Sequence, residues 1–195
     1  MSEAIRIIRK EHRNLAAVLS CLKALVHDID RQGGEPDLDL FDLIFYYVSE
    51  FLNRYHHPKE DNYLYKVLRQ RSPAIVAALD ELGRQHAEVN IELETVREAL
   101  RRYRAGGTDA FPQFLDAVET YCRFEYDHIA LEESVVLPVA QSALLPQDWE
   151  KIDAAFAAND DPLFGAAPKA EFQRLMSRIA ETAPAPHGLG PARKA

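Results

Sequence analysis

Apolar residues recur along this chain at steps of three and four rather than two, the period of one buried helix face. Ile5, Ile8, Leu15, Leu19, Leu22 and Val26 form the stripe of a first helix, predicted over residues 3–31. Phe41, Phe45, Val48 and Leu52 open a second, predicted over 39–69, ahead of the Ser72-Pro73 break. Ser72 as N-cap and Pro73 at the first helical position predict the start of a third. Its stripe runs through Leu79, Leu82, Val89, Leu93, Val96 and Leu100 and stops near Ala105, before Gly106-Gly107. Thr108 or Asp109 is expected to cap a fourth helix reaching Leu144 through Phe114, Val118, Tyr121, Val135 and Val139. Four long helices on short loops predict an all-α, up-down-up-down four-helix bundle over 1–145. Shorter amphipathic pieces at 147–158 (Trp149, Ile152, Phe156) and 168–181 (Phe172, Leu175, Ile179) form a helical extension over 146–181, expected to pack on the bundle. Residues 182–195, rich in Pro, Ala and Gly, are expected to fray.

Each stripe is broken by polar residues at seam positions. His12 interrupts the first, His86 the third, and His128 with Glu132 the fourth, while His56 and Glu60 continue the second. Counting from the loops, the four imidazoles fall at matching heights in antiparallel helices that rise about 1.5 Å per residue. A single His on an apolar face is commonly a satisfied core residue, but four at one level with two carboxylates are costly to bury without a cation. His-x-x-x-Glu places imidazole and carboxylate one turn apart on one face, as in His56–Glu60 and His128–Glu132. Four imidazoles and two carboxylates exceed the needs of one tetrahedral zinc. They suit two metals bridged by the carboxylates. A thiolate-free imidazole and carboxylate set points to iron, with zinc and manganese as rivals. His57 points about 100° from His56 on an ideal helix, but Pro58 disturbs that helix, so His57 is a candidate fifth ligand. Glu125, one turn before His128 on the same face, is a further candidate to touch the site. Tyr46, Tyr47, Tyr55, Tyr121 and Tyr126 read as core and boundary aromatics, and His27 and His187 as surface residues.

Composition narrows the class. With 47% hydrophobic and 28% charged residues, the 195-residue chain has material for a sizeable core, which excludes wholesale disorder. A net charge of -8 argues against nucleic acid as the main partner. No long uncharged apolar window and no signal peptide are evident, so a location in the cytoplasm, away from membranes, is expected. Two cysteines, Cys21 and Cys122, are too few for a thiolate metal site and are expected to be reduced thiols.

The order His12, His56/Glu60, His86, His128/Glu132 on four successive helices resembles the hemerythrin-like (HHE cation-binding) family. The stretches HHPKEDNYLY and HIALEESVVLPVA, each with an acidic doublet after its His, are similar to the family's characteristic segments. The resemblance covers residues 3–144. It implies a non-haem di-iron centre, oxo- or hydroxo-bridged, that binds or senses O2, NO or peroxide in iron metabolism or in oxidative or nitrosative stress. The chain departs from what the oxygen carriers resemble. Asn90 follows His86 where they carry a second His, and Glu132 follows His128 at a shorter spacing. With two His per metal and two shared Glu, the pair is expected to be nearly symmetric and to oxidise irreversibly, unless His57 restores a fifth imidazole.

Two other classes compete. A ferritin-like di-iron oxidase or peroxidase wants two Glu-x-x-His motifs and two further Glu. This chain offers one, Glu125-x-x-His128. A purely structural metal bundle predicts a centre closed to solvent and indifferent to gas or peroxide. The sequence carries no signal for a protein partner.

Overall fold

The computed structural model describes residues 2–33, 37–157 and 168–190. Helix α1 is Glu3–Gln32, with the Ser2 hydroxyl accepting from the Ile5 N–H at its start. It ends at Gly33, whose N–H donates to the Ile29 carbonyl at φ +67°, a conformation that favours glycine. Helix α2 spans 38–71 and α3 is Val76–Gly106. Helix α4 spans 111–143, α5 is Pro146–Ala157 and α6 is Pro168–Thr182. The four long helices form the expected all-α bundle, and no strand occurs among the described residues. No described helix is long and apolar enough to cross a membrane.

Two boundaries differ from expectation. Ser72 makes no side-chain cap, and Pro73–Ile75 is a 3-10 turn leading into α3. Asp109 does not cap α4 either. It lies in the 3-10 turn Gly107–Ala110, and α4 starts behind Ala110 with no side-chain cap.

The long helices α2 and α4 are not uniform. In α2 the α-helical Leu38–Phe51 widens into π turns at Leu52–His56 and Glu60–Tyr65, and in α4 a π turn spans Glu132–Val136. Pro58 and Pro138 sit just past such turns. Proline lacks an N–H and clashes with the carbonyl four residues back, which disfavours the α ladder there. Each π turn adds a residue and shifts the buried face. The expected seam at Val135 and Val139 is therefore replaced by Val136, Leu137 and Ala140, all fully buried, and Val135 turns out to solvent.

The core divides into two apolar clusters. One holds Leu15 and Leu19 of α1, Phe45 and Leu52 of α2, Val89 of α3 and Tyr121 of α4. The other holds Ile5 and Ile8, Leu64 and Leu68, Leu82 and Val136. Ile152 and Phe156 of α5 join the second, and Leu175 and Ile179 of α6 the first, so both extension helices pack on the bundle. Asp153 of α5 also accepts from the Ser2 hydroxyl at 2.6 Å and the Ala4 N–H at 2.8 Å, securing α1's first turn. Where a frayed end was expected, the Leu189 N–H donates to the Ala180 carbonyl and the Gly190 N–H to that of Ala183. His187 pairs with Asp28 of α1 at 2.6 Å, so it is tied down, and His27 pairs with Glu119 at 2.8 Å. Residues 191–195 lie outside the described set.

Candidate metal centre

Between the two apolar clusters lies a polar layer. His12, His56, His57, Glu60, Gln85, Glu125, His128 and Glu132 are the buried polar residues described, and the His86 side chain is 5% exposed. The imidazoles share one level. Ring centroids are 5.1 Å apart for His12–His56, 3.9 Å for His57–His86 and 5.0 Å for His86–His128.

Ligand-type atoms converge in two groups, each with its members within 4.8 Å of one another: His12, His56, Glu60 and Glu132, and His57, Glu60, His86 and His128. Glu60 belongs to both. Its Oε1 lies 3.0 Å from His56 Nε2 and its Oε2 3.6 Å from His86 Nε2, so one carboxylate faces both groups. Glu132 belongs to the first group. Its Oε2 is 3.0 Å from His12 Nε2, and its Oε1 accepts a hydrogen bond from the Tyr65 hydroxyl at 3.0 Å.

His12, His56, Glu60, His86, His128 and Glu132 are thus brought together and His57 comes with them, while Glu125 joins neither group. The expected even division of two imidazoles per metal gives way to groups holding two and three. The π turns are the cause, because they bring neighbouring His56 and His57 both inward, 5% exposed or less. Asn90 stays outside, accepting a hydrogen bond from Asn53 on the exposed side of α3. Neither cysteine joins the groups. Cys122 packs in the larger cluster, where burial pushes its thiol up to about 12.

The donor set fits a metal on an observation of its own. The Nε2 atoms of all five His, both oxygens of Glu60 and Oε2 of Glu132 are buried with no hydrogen-bond partner. Even the 3.0 Å approaches lack hydrogen-bond alignment. Uncompensated polar atoms in this number are costly, and cations held by those lone pairs remove the cost.

Four of the five opposite ring nitrogens have a partner. His56 Nδ1 donates to Glu11 at 3.0 Å, His86 Nδ1 to Asp61 at 3.0 Å, His128 Nδ1 to Gln85 at 2.9 Å and His12 Nδ1 to Glu133 at 2.9 Å. Read by helix, α1 holds α2, α2 holds α3, α3 holds α4 and α4 holds α1: a closed ring of four cross-helix bonds. Each fixes a tautomer with Nδ1 protonated and Nε2 aimed inward. The Gln85 amide is itself oriented, since its Nε2 donates to Glu81 at 2.7 Å. Replacing one acceptor of this ring, as in Asp61→Ala or Gln85→Ala, is expected to weaken metal binding by about 10–100-fold, read by competition with a chelator. An unchanged affinity across all four positions would show that the ring does not orient the ligands.

Charge in the metal-free layer is uneven. Burial alone would lower the His12 imidazole, but the adjacent Glu132 and Glu133 carboxylates prevail and raise it to about 9. Burial would raise Glu132, yet His12 holds it down at about 2. Burial and then the Glu132 charge push Glu60 well above the usual carboxylate range. Burial lowers His56, His57 and His128, the last to about 3. The metal-free protein therefore favours the protonated forms of His12 and Glu60, and a metal must displace those protons. Uptake is expected to release about two protons per centre, and affinity to rise with pH until His12 deprotonates near 9 and to fall on acidification. Calorimetric titration in two buffers of different ionisation enthalpy counts those protons. A count of zero contradicts this charge assignment.

No curated protein and no solved structure matches the chain in comparisons of sequence and fold. A family model does, over residues 3–140, spanning the four long helices that carry every member of the two groups. The chain belongs to the hemerythrin HHE cation binding domain family.

Proposed function

We propose that the chain holds two iron ions and uses them to bind or sense a small diatomic or peroxidic ligand, O2, NO or hydrogen peroxide. The observation that carries this reading is Glu60, whose two unpartnered oxygens face separate histidine groups. His12, His56 and Glu132 would hold one ion, His57, His86 and His128 the other, and Glu60 both. Iron supplies the redox and ligand-binding chemistry when bound. The chain supplies the rest: fixed Nε2 donors, two carboxylates and an apolar cluster on either side that excludes bulk water.

The inward placement of His57 removes the symmetry from which irreversible oxidation was expected, and favours a centre whose two ions differ. An enzyme of the ferritin-like kind is disfavoured because five imidazoles and two carboxylates invert the carboxylate-rich set of that class. Location in the cytoplasm remains part of the proposal. The test is anaerobic reduction of iron-loaded protein, followed optically as O2 or NO is admitted and then purged with argon. New absorption bands on admitting gas support the reading. A spectrum indifferent to both gases and to peroxide would leave a purely structural metal bundle.

A further inference from the structure

One buried acid is left over. Glu125 is 1% exposed, belongs to neither metal group, and its Oε1 has no hydrogen-bond partner. Its setting is specific. One turn from the metal layer, towards the larger apolar cluster, α1 presents Leu15, α2 Leu52 and α3 Val89, each at most 2% exposed. Helix α4 presents Glu125 at the same level. The wall beside the centre is therefore apolar on three helices and carries one carboxyl on the fourth. Behind it, one turn further along α4, the buried Tyr121 hydroxyl is its hydrogen-bonding neighbour, which still leaves Oε1 without a partner.

A buried acid with an unpartnered oxygen in an apolar wall costs the fold stability that Leu at the same position would not. No lysine or arginine offsets it: the groups acting on it are Tyr121 and His12. Burial raises the carboxyl to about 7 although both of those pull the other way. A buried carboxyl with a free oxygen is the one group of this wall able to share a hydrogen bond, where every other wall residue offers only hydrocarbon.

Resting on the di-metal reading above, we propose that Glu125 is a ligand-facing hydrogen-bond donor, poised on the His12 side of the centre to receive the outer atom of a small anionic or oxygen-terminated ligand. Tyr121 positions it from behind. The donor gives the pocket a preference for ligands with a terminal lone pair over apolar gases of the same size.

The experiment uses iron-loaded, oxidised full-length protein with azide as the probe. Wild type, Glu125→Gln and Glu125→Met are compared, with Glu125→Leu as a second apolar variant, and iron per chain is measured on the same samples. The proposal expects Met to weaken azide binding by about tenfold or more, with Gln, still a donor, within about threefold of wild type. It also expects the metal-free Gln and Met proteins to melt no lower than wild type, because relief of the buried acid offsets loss of its one bond with Tyr121. Equal azide affinity in all forms, or tighter binding in the Met variant as an ionised Glu125 would produce, overturns the proposal while leaving the metal reading intact. Failure of wild type to take up iron overturns both.

Discussion

Removing the metal is expected to lower the melting temperature of this protein by roughly 10–15 °C. A ligand at a thousand times its dissociation constant stabilises the native state by about 4 kcal/mol. For a chain of this length, 1 kcal/mol moves the midpoint by about 2–4 °C. The structural reason is the number of buried lone pairs that lose their partner: five imidazole Nε2 atoms and three carboxylate oxygens. Chelator-treated and iron-reconstituted samples, compared by calorimetry with metal content verified, give the answer. Coincident curves would mean that the polar layer satisfies itself without a cation.

The second large effect concerns Glu60. Glu60→Gln keeps the shape of the side chain but replaces one carboxylate oxygen with an amide nitrogen that cannot ligate. Because the two oxygens face different groups, both ions are expected to suffer, with iron falling from two per chain to below one. The metal-free variant, in contrast, is expected to melt at or above the wild-type temperature. Glu60 is held well above its ordinary range by burial and by Glu132, so the neutral amide replaces a carboxyl whose charged form this site disfavours. Loss of metal with no loss of metal-free stability separates a ligand from a residue that holds the fold. A large fall in metal-free stability would assign Glu60 a packing role instead.

The seam histidines were legible because helical period and antiparallel register are set by backbone geometry alone. His12, His56, His86 and His128 could be placed at one level by counting from the loops. What the period could not convey is its own interruption. The π turns of α2 and α4 change the residues per turn, so Val135 replaced Val136 in the expected seam and His57 seemed to point aside. The prolines at 58 and 138 are the visible signal of both interruptions. The outer ring was hidden for another reason. Glu11, Asp61, Gln85 and Glu133 each adjoin an inward residue in sequence, yet each serves a histidine on the neighbouring helix. A residue about 100° from the seam faces the adjacent helix, a relation that appears only once the helices are packed. The acidic doublets Glu60-Asp61 and Glu132-Glu133 held the clue: the first acid faces inward and the second reaches across.

The central claim is that this layer is built for two metal ions. The most direct measurement is a titration of metal-free protein with ferrous iron under anaerobic conditions, with elemental analysis after desalting. The account predicts two irons per chain in wild type and fewer than one in Glu60→Gln. One tightly held iron per chain, unchanged by Glu60→Gln, would contradict it.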